Sequence, residues 1–150
     1  MCRRPKESGR GRVEVFDDTM RARAVTVHAT ENALHRAIER GELRLFFQPV
    51  VCLADARCVG AEALLRWQHP ERGLIGPAEF IPLAEETGLV VPMGWWVIEE
   101  AARHAARWQL EQAEPFLVSV NLSARQLVQP GLAERVAEVM EQTGVDPASL

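Results

Sequence analysis

The segment Cys58–Trp67 has the sequence CVGAEALLRW, a mainly apolar run that contains two charged side chains. A short apolar run bounded by turn-forming residues is typical of a strand in a sheet. Alternate side chains of a strand point to the same face, so Glu62 and Arg66 face the same cavity or core. An unpaired buried charge is very costly. Glu62 is therefore a member of a structural salt bridge, a residue at a sheet edge or a functional group, and the pattern alone leaves these alternatives open.

Strands and helices alternate on both sides of this segment. In chain order, the patterns predict a strand over Leu43–Val51, the strand Cys58–Trp67 and a loop over residues 69–76. Two helices follow, over residues 77–87 and about 93–112. The last elements are a strand over residues 116–122 and a helix from Leu132 to before Gly144. This alternation predicts an α/β fold. The apolar strand at 116–122 is expected to be buried on both faces, as parallel strands are.

The composition limits the class of protein. With 150 residues, 47% of them apolar and 25% charged, the chain is typical of a folded domain. Its net charge of -4 provides no general attraction to nucleic acid or to an anionic membrane. No run approaches the about 20 apolar residues of a membrane span, and the start of the sequence is not a secretory signal. The three cysteines form neither a metal-binding spacing nor an even disulfide framework, which favours the reducing cytoplasm.

Two amides are further candidates for a functional site. Asn121 lies at the C-terminal end of a predicted strand, where α/β folds place their ligand sites. Its amide oxygen is a suitable ligand for a hard metal ion, although an asparagine here could equally cap a turn that opens the next helix. Gln48, before Pro49 near a strand end, could bind a nucleobase edge or cap a loop. The four histidines are scattered, and we assign none of them to catalysis.

Several short blocks of the sequence resemble the EAL domain family in the same order. The blocks are Phe47–Val50 (FQPV), Glu62–Trp67 (EALLRW), 69–71 (HPE), 73–75 (GLI), Pro77, 80–82 (FIP), 84–89 (AEETGL) and 120–123 (VNLS). The resemblance covers about residues 30–150. Phe47 stands where the family usually has tyrosine.

The resemblance implies a fold and an activity. The fold would be a (β/α)8 barrel of the TIM type whose first strand runs against the others, with only its first half present here. The activity would be hydrolysis of cyclic di-GMP to linear pGpG with Mg²⁺ or Mn²⁺. By position, Glu62 would be catalytic and, with Asn121, a metal ligand, Arg66 would bind a phosphate, and Gln48 would line the dinucleotide pocket. These residue types suit two-metal phosphodiester chemistry.

The same resemblance implies further ligands that this sequence lacks. In the family they lie on a Glu-x-Thr-Glu strand and an Asp-Asp-Phe-Gly strand end, and neither motif occurs in the 150 residues. The acidic residues after Asn121 belong to the last predicted helix or its exit. We therefore expect this fragment to be inactive alone. The alternative is an EAL module that binds cyclic di-GMP or a partner protein without cleaving a substrate.

The N-terminal part carries a second, shorter resemblance. Residues 9–16 resemble the closing strand of a GGDEF (diguanylate cyclase) domain, and residues 17–41 would form the linker helix of a GGDEF–EAL tandem. The expected division is thus 1–16, 17–41 and 42–150, with a GGDEF domain upstream. A third hypothesis is that residues 9–40 act mainly as a signalling or dimerising helix, so that a longer parent protein would be a homodimer.

Overall fold

The computed structural model describes residues 30–111 and 116–150. The predicted strand near residue 12 and most of the helix predicted from residue 17 lie outside the described residues. The end of that helix is described: α1 covers residues 30–39. Gly41, with φ of 61°, follows it, and the amide N–H of Glu42 donates to the carbonyl of Ala37. A glycine in this left-handed conformation is a common way to end a helix.

Four strands form one mixed sheet. They are β1 (Leu43–Val51), β2 (Cys58–His69), β3 (Gly73–Ile75) and β4 (Leu117–Val120). β1 runs antiparallel to β2 along one edge of β2, whereas β4 pairs in parallel with the first half of β2 on the other edge. The β3 strand pairs with the last residues of β2 on that same edge. β2 is therefore the central strand, and the first strand runs against the parallel pair, as expected.

The helices follow the strands in the predicted order. They are α2 (Pro77–Thr87), α3 (Val90–Glu111), α4 (Ala124–Leu127) and α5 (Leu132–Thr143), followed by a 3-10 turn at Pro147–Ser149. Several details differ from the predictions. The predicted loop over residues 69–76 contains β3. The α3 helix begins three residues earlier than expected. Pro92 is compatible with this start because it lies in the first turn of the helix, where a missing N–H is tolerated. The short α4 was not predicted.

The hydrophobic core lies on one face of the sheet only. Ala61, Ala63 and Trp67 of β2 are buried on the helix side, where Leu65 also packs, whereas Glu62, Leu64 and Arg66 are half-buried on the opposite face. Small residues of α3 (Ala101, Ala102 and Ala105) are buried in the same layer and let this helix approach the sheet closely. We call the helix-covered side the outer face and the other side the inner face.

The prediction that the strand at 116–122 is buried on both faces is wrong. Val118 of β4 is fully buried, but Leu117 is 51% exposed and Ser119 is exposed. The physical reason is that helices cover only the outer face of the described sheet. Every second residue of β4 therefore contacts no core, and the inner face of the sheet remains accessible.

The turn between β1 and β2 sets the register of the sheet. Cys52 donates its backbone N–H to the carbonyl of Arg57, and Arg57 Nε lies 2.6 Å from Asp55 Oδ2. This hydrogen bond lowers the pKa of Asp55 below its usual value. The register that follows places Gln48 directly opposite Glu62. Cys52 and Cys58 are free thiols on either side of the turn.

We predict that Phe80→Ala lowers the free energy of unfolding by about 3–5 kcal/mol, because it removes a fully buried ring and leaves a cavity. The Phe80 ring packs edge-on against Trp67, with 6.0 Å between the ring centres. Urea unfolding would measure the change. Leu110→Ala is the control, since Leu110 is 85% exposed and its loss should cost about 0.5 kcal/mol or less. Equal effects of the two substitutions would contradict this view of the core.

Candidate active site on the inner face

Three neighbouring strands place polar side chains at one level of the inner face. In the register of the sheet, Glu62 of β2 lies between Gln48 of β1 and Ser119 of β4. Directly opposed residues of paired strands point to the same face. Glu62 is therefore surrounded by polar neighbours, although its own strand is mainly apolar.

Glu62 contacts Asn121, which follows the last residue of β4. Asn121 Nδ2 donates a hydrogen bond to Glu62 Oε1 over 2.6 Å. Within residues 30–111 and 116–150, Glu62 forms no ion pair, so the structural salt bridge that the strand pattern left open is not found there. Asn121 does not cap the following helix either, since the N-cap of α4 is Ser123. Instead of a salt bridge at Glu62 and a helix cap at Asn121, the structure has a hydrogen bond between these two residues.

Arg66 lies farther along the inner face, on the same side of β2 as Glu62. Four residues of extended chain correspond to about 13 Å, so the two side chains start well apart. Arg66 Nη1 donates to the neighbouring carbonyl of Leu65, and its guanidinium carbon lies 5.8 Å from the centre of the Phe46 ring. No acidic group of the described residues pairs with it. Its charge is therefore available to an anion.

Gln48 lies in β1, three residues before the end of the strand, which has the bounds predicted from the sequence. β1 continues through Pro49, which lies opposite Ala61, and ends at Val51. Proline is tolerated here because, among the described strands, β1 pairs only with β2 and has a free edge. The Gln48 side chain is exposed, beside Glu62 on the inner face.

A cavity of about 260 Å³ adjoins Asn121 between the sheet and the helices. Residues of β2, α2, α3 and the segment after β4 line it, and its polar side chains are those of Glu85, Asn121, Ser123 and Gln126. Gln126 is only 3% exposed. Its Nε2 atom has no hydrogen-bond partner among the described residues. The cavity is otherwise mainly apolar.

Ser123 and Gln126 are residues of this region that the sequence reading missed. Ser123 Oγ accepts a hydrogen bond from the backbone N–H of Gln126, and Gln126 Oε1 accepts one from the backbone N–H of Ser123, so the two form a capping box. The pattern Ser-x-x-Gln is a known sequence signal for this arrangement. It was overlooked because α4 is too short to show any helical periodicity.

The donor atoms at Glu62 and Asn121 fit a hard divalent cation. The second carboxylate oxygen of Glu62 and Oδ1 of Asn121 accept no hydrogen bond from the described residues, and such oxygens are the ligands that Mg²⁺ and Mn²⁺ prefer. No group of three or more His, Cys, Asp or Glu side chains that could hold a metal occurs in this part of the chain. The described residues therefore offer two ligands, fewer than a complete site needs. None of the described helices is long and apolar enough to cross a membrane.

Comparison with known protein families decides the classification. The sequence model of the EAL domain matches residues 31–150, which is most of the chain. The chain belongs to the EAL domain family. The resemblance inferred from the FQPV, EALLRW and VNLS blocks is thereby confirmed.

Curated relatives of this EAL chain include proteins named for cyclic di-GMP chemistry. It is 39% identical over 145 residues to the bifunctional diguanylate cyclase/cyclic di-GMP phosphodiesterase MucR of Pseudomonas aeruginosa, covering 97% of this chain and 21% of MucR. It is 39% identical over 138 residues to the cyclic di-GMP phosphodiesterase PdeR of Escherichia coli, covering 91% of this chain and 20% of PdeR. The chain thus spans about a fifth of these relatives.

Solved EAL structures share its fold. The PaMucR phosphodiesterase in complex with c-di-GMP superposes with a TM-score of 0.78 and 40% identity, covering 81% of this chain and 49% of that one. The FimX EAL domain of Pseudomonas aeruginosa bound to c-di-GMP gives a TM-score of 0.70 and 32% identity, covering 81% and 48%. The chain therefore corresponds to about half of each solved structure. The predicted α/β fold, an incomplete barrel of the TIM type, is confirmed.

Proposed function

We propose that this EAL chain supplies part of the active site of a cyclic di-GMP phosphodiesterase, in which Glu62 and Asn121 are ligands of Mg²⁺ or Mn²⁺. The observation that carries the proposal is the 2.6 Å contact between Asn121 Nδ2 and Glu62 Oε1 on the inner face. It joins two residues that are 59 positions apart in the sequence. The names of MucR and PdeR support cyclic di-GMP as the substrate.

Each proposed residue has a role that its surroundings support. Glu62 and Asn121 would hold a divalent ion, which would supply an activated water molecule and charge neutralisation at the attacked phosphate, with linear pGpG as the product. Glu62 contributes a carboxylate that no cation of the described residues neutralises. Arg66, also without an acidic partner there, binds a phosphate of the substrate through two parallel hydrogen bonds. Gln48 lines the dinucleotide pocket beside Glu62.

The second candidate is a module that binds cyclic di-GMP, or a partner protein, without hydrolysis. The observation that favours it is Arg66, whose guanidinium has no acidic partner among the described residues and can bind a phosphate without any metal ion. Arg66 and Gln48 would then bind the ligand in the absence of a complete metal site. The two candidates share the ligand and differ in whether the phosphodiester bond is cleaved.

We further propose the division of the chain into residues 1–16, 17–41 and 42–150: the end of a GGDEF domain, a linker helix and EAL sequence. The family match begins within α1, at residue 31, so the last part of the linker helix also belongs to the matched EAL sequence. An upstream GGDEF domain and a homodimeric parent protein belong to the same proposal, which the bifunctional name of MucR supports. The free thiols Cys52 and Cys58 suit a reducing, cytoplasmic setting.

We predict that Glu62→Gln weakens Mn²⁺ binding to this chain at least about 10-fold, because it removes the only proposed anionic ligand. Paramagnetic broadening of assigned NMR signals near β2 and β4, followed as Mn²⁺ is added, would measure the affinity. Glu138→Gln, which changes an exposed glutamate of α5, is the matched control and should leave the titration unchanged. Equal broadening in wild type and Glu62→Gln would refute the ligand role of Glu62.

We predict no hydrolysis of cyclic di-GMP by these 150 residues with either Mg²⁺ or Mn²⁺, because two oxygen ligands do not complete a two-metal site. Chromatographic detection of pGpG would measure turnover. In a longer protein that contains this sequence and the remaining family motifs, turnover is expected, and Glu62→Ala should lower it more than about 100-fold, beyond the usual effect of a residue that only supports a metal ligand. A longer protein that binds the dinucleotide but yields no pGpG would favour the binding module.

A further inference from the structure

The segment that carries Asn121 is held by a hydrogen-bonded cap. Ser123 donates its backbone N–H and its hydroxyl to Gln126 Oε1, over 3.1 and 3.2 Å. The backbone N–H of Gln126 donates in return to Ser123 Oγ over 3.3 Å. Asn121 lies two residues before Ser123 and belongs to neither β4 nor α4. The direction in which Asn121 leaves the strand therefore depends on this cap.

The side chain of Gln126 is seated against α3 rather than in solvent. It is one of two buried polar side chains in the described part of the chain. Its amide lies so close to Gly94 that a methyl group at position 94 would overlap it. Glycine inside a helix is less stable than alanine, so a helix tolerates it where another group must approach closely. Gly94 provides a notch in α3 that receives the Gln126 amide.

These contacts form a continuous path from the core to the proposed metal ligands. Gly94 of α3 receives Gln126, Gln126 holds Ser123, and the chain that leads into Ser123 presents Asn121 to Glu62. From this geometry we infer that Gln126, seated in the Gly94 notch, is a positioning residue that holds Asn121 at Glu62. The inference rests on the proposed function for the role of Asn121, but the placement of Asn121 can be measured without any metal.

A plain capping role would have a different consequence. If Gln126 only stabilised α4, its loss would lower stability while the contact between Asn121 and Glu62 remained. The positioning role requires that this contact weakens as well. The two roles are therefore separated by a measurement on Asn121 itself and not by folding stability.

The experiment uses NMR of the isotope-labelled 150-residue chain, in wild type and in Gln126→Ala, Gly94→Ala and the double variant. The first readout is the chemical-shift separation of the two Asn121 side-chain amide protons, which a hydrogen bond to a carboxylate enlarges. The second is the Mn²⁺ concentration that broadens this signal. Urea unfolding provides the stability of each variant. Gln129→Ala, an exposed glutamine one turn farther on, and Gly76→Ala, where a methyl group meets no atom within 4 Å, are the matched controls.

In Gln126→Ala, we expect the amide proton separation to fall to that of a free asparagine and at least 10-fold more Mn²⁺ to be needed for equal broadening. Gly94→Ala should have the same effect and also lower stability, because its methyl group displaces the amide. The double variant should regain stability, since alanine favours the helix and the overlap is gone, yet it should not regain the Asn121 signal. The controls should match wild type in both readouts.

Wild-type behaviour of Asn121 in both Gln126→Ala and the double variant would overturn the positioning role, whatever the stability. Recovery of the Asn121 signal together with stability in the double variant would also overturn it. If Mn²⁺ fails to broaden Asn121 even in wild type, the proposed metal function fails, while the amide proton separation still decides whether Gln126 positions Asn121.

Discussion

The alternation of side chains along β2 is the constraint on which the other features depend. β2 pairs with β1 on one edge and with β4 and β3 on the other, so its side chains can point only to the two faces of the sheet. One face packs Ala61, Ala63 and Trp67 against the helices. Since consecutive residues of a strand point to opposite faces, Glu62 and Arg66 lie on the face that the helices leave open. A shift of one residue in the pairing would bury Glu62 in the core and expose Trp67.

The α3 helix connects this sheet to the candidate site. Its alanines pack closely on the outer face, and the same helix receives Gln126 at Gly94. Packing that is required for the core therefore also limits where the segment after β4 can lie. Asn121 belongs to no regular element, but the rigid elements on both sides of it restrict its position. The side chain of Asn121 is therefore placed precisely.

Because the chain belongs to the EAL domain family, its sheet is part of a TIM-type barrel. A barrel of this type collects its functional side chains from the C-terminal ends of several strands. In the described part, the site that we propose draws on Glu62 and Arg66 from β2, Gln48 from β1 and Asn121, which follows β4. The contact between Glu62 and Asn121 forms within this part of the barrel, so the described residues already assemble a carboxylate and an amide on their own.

Periodicity and short motifs in the sequence determined the order of β1, β2, α2, α3, β4 and α5, because each element is governed by local residue spacing and by the Pro and Gly residues at its ends. They also singled out Glu62, whose charge is conspicuous in an apolar strand. Tertiary structure alone decided that Asn121 bonds Glu62, that β4 has an open face and that Gln126 is received by Gly94. Such contacts join residues far apart in the chain. Local residue spacing carries no information about which distant side chains will touch, or about which face of a sheet the helices will cover.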